Sequence, residues 1–297
     1  MIEGQPILFG EVLFDCFPDG EIALGGAPFN VAWHLQGLGI PPLLITRVGS
    51  DRRGSVVLRL MQERGMPVAG VQLDPERPTG VVAVQVKAGE PHYNILPDQA
   101  YDRIDADQAL AALQASRPAL IYHGSLALRS ETSRAALARL LGETALPAFL
   151  DLNIREPWWD PGQTIPLLRR ATWVKLNADE LNSAMRGHFD DLEAQRQAAQ
   201  ELFVQCELQM LVVTRGAKGA FMVLPEGIVE GAPVAVDEVV DSVGAGDAFS
   251  AVLIAGLLRG EQPQAMLDRA IGVAAAVCRH RGATPEDDSL YEGEVET

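Results

Sequence analysis

The sequence predicts an α/β fold in which a mainly parallel central sheet is covered on both faces by helices and carries a small projecting β element. Three observations lead there. Short, nearly continuous apolar runs alternate with amphipathic helical patterns through most of the 297 residues, as expected of strands buried on both faces. Between Met66 and Pro97 the alternation stops, and two strand-like runs appear with no helix between them. The composition, 47% hydrophobic and 22% charged, suits one large core, so residues 1–297 are read as one domain with an appendage.

Taken in order, Ile7–Phe14 reads as a strand. Pro28–Leu38 reads as a helix, with Pro28 in its first turn and Gly39 just past its end. Leu43–Val48 is a strand, and Gly54–Arg64 a helix stopped by Gly65 and Pro67. Gly80–Lys87 and His92–Leu96 are strand-like and separated by the turn residues Gly89-Glu90-Pro91. With the segment 16–24, the stretch 67–97 would form the projecting β element, either a water-excluding lid or an edge hairpin with no moving part. Then come Ala119–His123 (strand), Ser130–Leu141 (helix), Ala148–Asn153 and Trp173–Leu176 (strands), Ala178–Arg186 and Leu192–Gln205 (helices) and Met210–Thr214 (strand). An extended stretch, Val234–Val240, leads into the helical patterns Gly246–Leu258 and Pro263–Arg279. The acidic tail from Pro285 is expected to be peripheral.

Lys+Arg 24 against Asp+Glu 40 gives a net charge of −16, which repels nucleic acid and anionic membranes. An anionic ligand must then be met by local donors or a metal ion. Cys16, Cys206 and Cys278 have neither metal-ligand spacing nor a disulfide pattern. With no signal-like N-terminus and no apolar run of membrane-spanning length, they point to a cytoplasmic protein.

Asp241-Ser242-Val243-Gly244-Ala245-Gly246-Asp247-Ala248-Phe249 opens a long apolar helix. Glycines there let backbone N–H groups approach an anion, and the helix dipole adds positive potential. Asp247 would serve as a helix cap or, with Asp241 beside the same loop, as a base next to a transferring phosphoryl group. The chain has no Walker loop, and Gly-Ala-Gly lies too late for a dinucleotide fingerprint. Near the other end, Leu24-Gly25-Gly26-Ala27-Pro28-Phe29-Asn30 places two glycines before a helix. They could make only a tight turn. Alternatively, Asn30 and the strand-end Asp15 could hydrogen-bond a polyol.

Together these two stretches resemble the signatures of the ribokinase-like (PfkB) carbohydrate kinases. Val48-Gly49-Ser50-Asp51 with Gly54, Thr79-Gly80, Asn177-Ala178-Asp179-Glu180 and Thr214-Arg215-Gly216-Ala217-Lys218-Gly219 match in the interval, in order. The resemblance implies a three-layer α/β/α fold with a β lid, and ATP-dependent phosphorylation of a sugar. It makes Asp247 the catalytic base and the backbone of Gly244, Ala245 and Gly246 the anion hole. Asp15, Gly26 and Asn30 would hold the sugar; Thr214, Gly216 and Gly219 would line the nucleotide site. Asn177 and Glu180 would hold hydrated Mg2+, and Asp241 with the Val243 carbonyl a monovalent cation, K+. An exposed apolar face on the lid would favour a homodimer formed through it. Arg215 is read as a solvated surface residue, and Phe29, bulkier than usual there, is expected to reshape the sugar pocket.

Gly10-Glu11-Val12-Leu13-Phe14-Asp15, His123-Gly124-Ser125 and Asp151-Leu152-Asn153-Ile154-Arg155 look more like fructokinases than ribokinases. Arg155 would contact a phosphate or the sugar, or else pair with a surface acid. The Asp-x-Asn-x-Arg segment also occurs in 2-keto-3-deoxygluconate kinases, whose acceptor carries a carboxylate and needs a cation. With no second basic residue near the sugar motifs, fructose is the expected acceptor. The rival class is a sugar sensor on the same scaffold, which has no need of Asp247, the glycines, Asn177 and Glu180 together.

Overall fold

The computed structural model describes residues 2–87, 90–236 and 238–292. The predicted strand Ile7–Phe14 is in fact two. β1 (Gln5–Phe9) lies in the main sheet, and β2 (Leu13–Cys16) belongs to a second, smaller one. The break falls at Gly10, which carries a positive φ and a close contact to Pro28 that a Cβ could not share. Next follow β3 (Ile22–Gly25), helix α1 (Ala27–Gly37), β4 (Leu43–Gly49) and α2 (Arg52–Glu63). Strands β5 (Val71–Asp74), β6 (Gly80–Lys87) and β7 (Glu90–Ile95) lead to α3 (Ala106–Gln114), β8 (Pro118–His123) and α4 (Glu131–Thr144). After β9 (Ala148–Asp151), α5 (Thr164–Leu168), β10 (Trp173–Asn177), α6 (Ala178–Met185), α7 (Leu192–Gln205) and β11 (Met210–Thr214) come β12 (Ala220–Leu224) and β13 (Gly227–Gly231). Helices α8 (Ala245–Arg259), α9 (Pro263–Val277) and α10 (Ser289–Glu292) complete the described chain.

The main sheet runs β13-β12-β11-β10-β9-β8-β1-β4-β5. It is parallel from β5 to β11 and antiparallel only at β12 and β13. Alternation along its strands supplies an apolar surface on each face. Leu8, Leu44, Leu120 and Val212 pack with α1, α8 and α9 on one side. On the other, Ile7, Phe9, Ile45 and Ile121 pack with α3 and α4, and Val174, Leu176 and Val213 with α6 and α7. This is a three-layer α/β/α arrangement, with the strand C-termini ending together along one edge.

The small sheet, in order β3-β2-β6-β7, takes strands at 13–16 and 22–25, reaching beyond 16–24 at both ends, and at 80–87 and 90–95, only the later part of 67–97. Residues 71–74 instead pair with β4 at the edge of the main sheet, because Thr46↔Val71 through Gly49↔Asp74 form a parallel register. Of the expected turn Gly89-Glu90-Pro91, Gly89 lies outside the described residues, as does Ala88, while Glu90 and Pro91 belong to β7. Asp51 connects the two sheets. Its Oδ1 caps α2 through Gly54 N (2.8 Å), and its Oδ2 accepts from Thr79 N (2.8 Å) at the start of β6. No strand is assigned to the described residues of Val234–Val240; Asp237 lies outside them.

The tail is not peripheral as far as Glu292. Trp33 Nε1 donates to Pro285 O (2.8 Å), and Arg64 Nη1 to Asp288 Oδ2 (3.0 Å). Tyr291 is buried against α1. His34 Nε2 faces Ala283 O (3.0 Å), so it carries the proton, and Nδ1 accepts from Tyr291 Oη (2.6 Å). Burial pushes this imidazole down to about 4, which keeps it neutral. The acidic composition misled because apolar Tyr291 and the backbone carbonyls, rather than the charges, make most of these contacts. Residues 293–297 lie outside the described part.

Candidate active site

Two loops built from opposite ends of the chain meet at the strand C-termini. Helix α1 begins at Gly26, whose φ of 112° and approach to Glu11 O (2.6 Å from where a Cβ would stand) exclude a side chain. One turn later, Asn30 Nδ2 donates to Asp247 Oδ2 at 2.7 Å, although 217 residues separate them. Gly25 opens the space beside this pair: a Cβ there would stand 3.8 Å from Asn30 Oδ1 and 3.9 Å from Asp15 Oδ2. Asn30 Oδ1 and Glu11 Oε2 are buried acceptors with no hydrogen-bond partner among the described residues. A polyol hydroxyl would satisfy either one.

Gly244 is the N-cap of α8, with φ 83°. The first-turn N–H groups of a helix have no intrahelical acceptor, and Ala245 N makes only a long 3.4 Å contact to Ser242 O. Gly244, Ala245 and Gly246 therefore present N–H groups at a positive helix end. Asp241 braces the loop: its Oδ1 accepts from Val243 N and its Oδ2 from Gly282 N, both at 3.0 Å.

Burial pushes the Asp247 carboxyl up to about 6; the Asn30 hydrogen bond opposes this and Asp151 adds to it. Burial likewise pushes Glu11 up to about 7, and Asp15 up to about 6 against the pull of Arg155. Arg155, exposed on the loop after β9, acts through space on Glu11, Asp15 and Asp247 rather than through a direct bond. With Asp247 as the proposed general base, which must be deprotonated to act, activity is expected to fall as pH drops through about 6. Replacing Asn30 by Ala removes an interaction favouring the carboxylate, so the acidic limb of kcat/KM should move to higher pH. A pH–rate series on both proteins checks this; an unmoved limb would detach Asp247 from the titration.

Asn177 and Glu180 form a capping box at the start of α6. Asn177 Oδ1 accepts from Glu180 N (2.9 Å), and Glu180 Oε2 from Asn177 N (2.8 Å). Glu180 Oε1 accepts from Ile154 N (2.8 Å), so both carboxylate oxygens already hold a backbone N–H. Each keeps a second lone pair, which fits holding a metal's water better than direct ligation. Asn177, Thr214, Arg215 and Gly216 line a cavity of about 270 Å³. Arg215 is not merely solvated: its Nε donates to Gln195 Oε1 at 2.7 Å. Gly219 closes the turn after β11, where a Cβ would stand 2.5 Å from Gly231 O. Phe29, expected to reshape the sugar pocket, is buried in the core beside Trp33, with ring centroids 6.0 Å apart. A larger cavity, about 690 Å³, opens between α4 and α5 and shares none of these site residues.

Two buried residues were given no role of their own in the sequence reading. Glu11 sits where the first strand breaks, and Lys175 interrupts the apolar run of β10. A charge inside each strand-like run was the available signal.

The chain matches the family described as "pfkB family carbohydrate kinase" over residues 17–289. It is 31% identical over 270 residues to a fructokinase of Klebsiella pneumoniae, covering 86% of this chain and 85% of that protein. It is 28% identical over 308 residues to a 2-dehydro-3-deoxygluconokinase of Thermoproteus tenax, covering 99% and 90%. A fructokinase of Vibrio cholerae, solved in a fructose-, ADP- and potassium-bound form, superposes with a TM-score of 0.78 at 23% identity. It covers 97% of each chain and speaks to the fold.

Proposed function

The chain belongs to the pfkB family of carbohydrate kinases and is a sugar kinase; from that premise we propose that it transfers the γ-phosphoryl group of ATP to fructose. The observation that supports this reading is the Asn30–Asp247 hydrogen bond, which sets a carboxylate with a raised pKa between the space beside Gly25 and the glycine loop at the start of α8. Fructose rather than a sugar acid is favoured by charge. Glu11, Asp15 and Asp247 surround the opening, with Arg155 acting on all three and Lys175 on Asp247, so acidic groups outnumber cations around an acceptor carboxylate. The fructokinase relative supports the same choice.

In the proposed step Asp15, Asn30 and the open backbone at Gly26 hold the sugar with its primary hydroxyl against Asp247. Arg155 contacts the sugar or the phosphate from the rim. As the hydroxyl oxygen bonds to the γ-phosphorus, Asp247 takes its proton. The bond from phosphorus to the bridging oxygen breaks, and its electron pair leaves with ADP. The N–H groups of Gly244, Ala245 and Gly246 donate to the transferring oxygens. Thr214, Gly216 and Gly219 border the nucleotide. Asn177 and Glu180 would hold the waters of Mg2+, which when bound neutralises phosphate charge. Asp241 and the Val243 carbonyl would hold K+. The small sheet would act as the lid; it also carries exposed Ile22 and Tyr93, through which a second copy would pair.

Steady-state turnover with ATP, Mg2+ and a panel of sugars tests the proposal. Fructose is expected to give the highest kcat/KM, at least about tenfold above 2-keto-3-deoxygluconate, a ratio equivalent to roughly 1.4 kcal/mol. A higher value for the sugar acid would reassign the acceptor. Absence of turnover with every sugar, sugar acid and nucleoside would overturn the phosphoryl-transfer reading.

A further inference from the structure

Beneath the glycine loop lies an ion pair that the site described above does not use. Lys175, on β10, donates from Nζ to Asp151 Oδ1 (3.1 Å) and Oδ2 (2.9 Å). Ser250, one turn into α8, donates to Asp151 Oδ2 (2.9 Å) and lies 3.1 Å from Gly246 O, joining the pair to the loop. Nζ stands only 3.1 Å from where a Cβ on Gly246 would be, and Gly246 has none. Two residues beyond Lys175, β10 ends at Asn177 in the capping box. The ammonium is therefore placed between the anion hole and the residues assigned to the metal's waters.

An ammonium has three protons, and Asp151 accounts for two. The side chain is 10% exposed, while that of Asp151 is 1% exposed, so what access there is lies on the lysine side. The surroundings make a structural role alone an incomplete account. Asp151, Glu180 and Asp247 all act electrostatically on Lys175, and a nucleotide triphosphate would add further negative charge. Arg155 also acts on Asp247, but from the exposed loop after β9.

We propose that Lys175 is a further catalytic residue, whose third ammonium proton is directed through the gap left by Gly246 to an oxygen of the transferring γ-phosphoryl group. This rests on the assignment of Gly244–Gly246 to that group. Charge on the phosphoryl oxygens shifts as the bond to ADP breaks and the bond to the sugar oxygen forms, and Lys175 offsets it without itself losing a proton. Asp151 and Ser250 are positioning residues that hold the ammonium at the floor of the site.

Lys175→Met alone leaves Asp151 buried and unpaired and is liable to unfold, so the deciding protein is Lys175→Met/Asp151→Asn, which removes both charges. The double variant is expected to keep its thermal midpoint within a few degrees and its fructose KM within about threefold, while kcat falls by roughly 10²-fold, the usual loss when one anion-hole donor is removed. A double variant with kcat within about threefold of the parent overturns the proposal and leaves Lys175 as a structural partner of Asp151. Asp247→Asn measured alongside separates the two levels. If that variant also keeps its activity, the assignment of the loop has failed rather than the role of Lys175. If it is inactive while the double variant turns over normally, only the inference about Lys175 fails.

Discussion

Replacing Asp247 by Asn is expected to lower kcat by roughly 10²–10⁴-fold, the range associated with a positioned general base. Sugar affinity should stay within a few-fold. The reason for that split is geometric. Asn30 Nδ2 donates to Oδ2 of Asp247, and an amide oxygen at the same place can still accept, so α1 and the sugar opening keep their relation. What disappears is the capacity to take a proton. The carboxyl, pushed up to about 6 by burial, is nearer in basicity to the reacting hydroxyl than an exposed aspartate, yet still mostly ionised at pH 7. Steady-state kinetics combined with fructose titration of the ATP-free protein measure both quantities. A large loss of sugar binding with a proportionate loss of kcat/KM would mean that Asp247 orients the acceptor instead.

Gly244→Ala should be nearly as damaging, for a different reason. At φ 83° any side chain strains the backbone, which costs about 1–3 kcal/mol. The added Cβ would also stand 2.5 Å from Ala283 Cα, a backbone atom that cannot rotate away. Either the 279–284 segment is displaced, breaking the Gly282–Asp241 hydrogen bond, or the Gly244 peptide turns and its neighbours' N–H groups leave the anion site. In both cases kcat should fall by at least about 10²-fold. Gly20→Ala provides the comparison: φ there is 90°, but nothing lies within 4 Å of its would-be Cβ. It should lose some stability and keep its turnover. Equal activity in the two variants would show that the loop tolerates displacement and would detach Gly244 from catalysis.

Much of the fold was legible because parallel strands buried on both faces carry uninterrupted apolar runs, as in Met210–Thr214, and helices announce their ends. The glycine loop and Asn30 were legible as local chemistry at helix starts. What escaped has common physical causes. The split between β1 and β2 is hard to read from periodicity, since apolar residues flank it on both sides and only Gly10 and Glu11 mark it. The edge strands β13 and β5 were missed because such strands carry weak patterns: β13 reads Gly-Ile-Val-Glu-Gly. The docking of the tail depends on Tyr291 meeting His34 across 257 residues, which no local window contains. Lys175 was passed over because a strand position was read for its neighbours' hydrophobicity, whereas its meaning comes from Asp151 on the adjacent strand.

The hydrogen bond between Asn30 and Asp247 also orders events in time. During synthesis the N-terminal strands can emerge and begin to pair, but the sugar-side acceptors of α1 stay incomplete until more than two hundred further residues have left the ribosome. Until α8 arrives, Leu8, Leu44 and Leu120 lack part of the helical layer that covers them. A stalled or truncated chain ending before Asp241 would therefore expose apolar sheet surface and bind no acceptor. Assembly of the working site and burial of the last open face of the sheet are one event, late and shared.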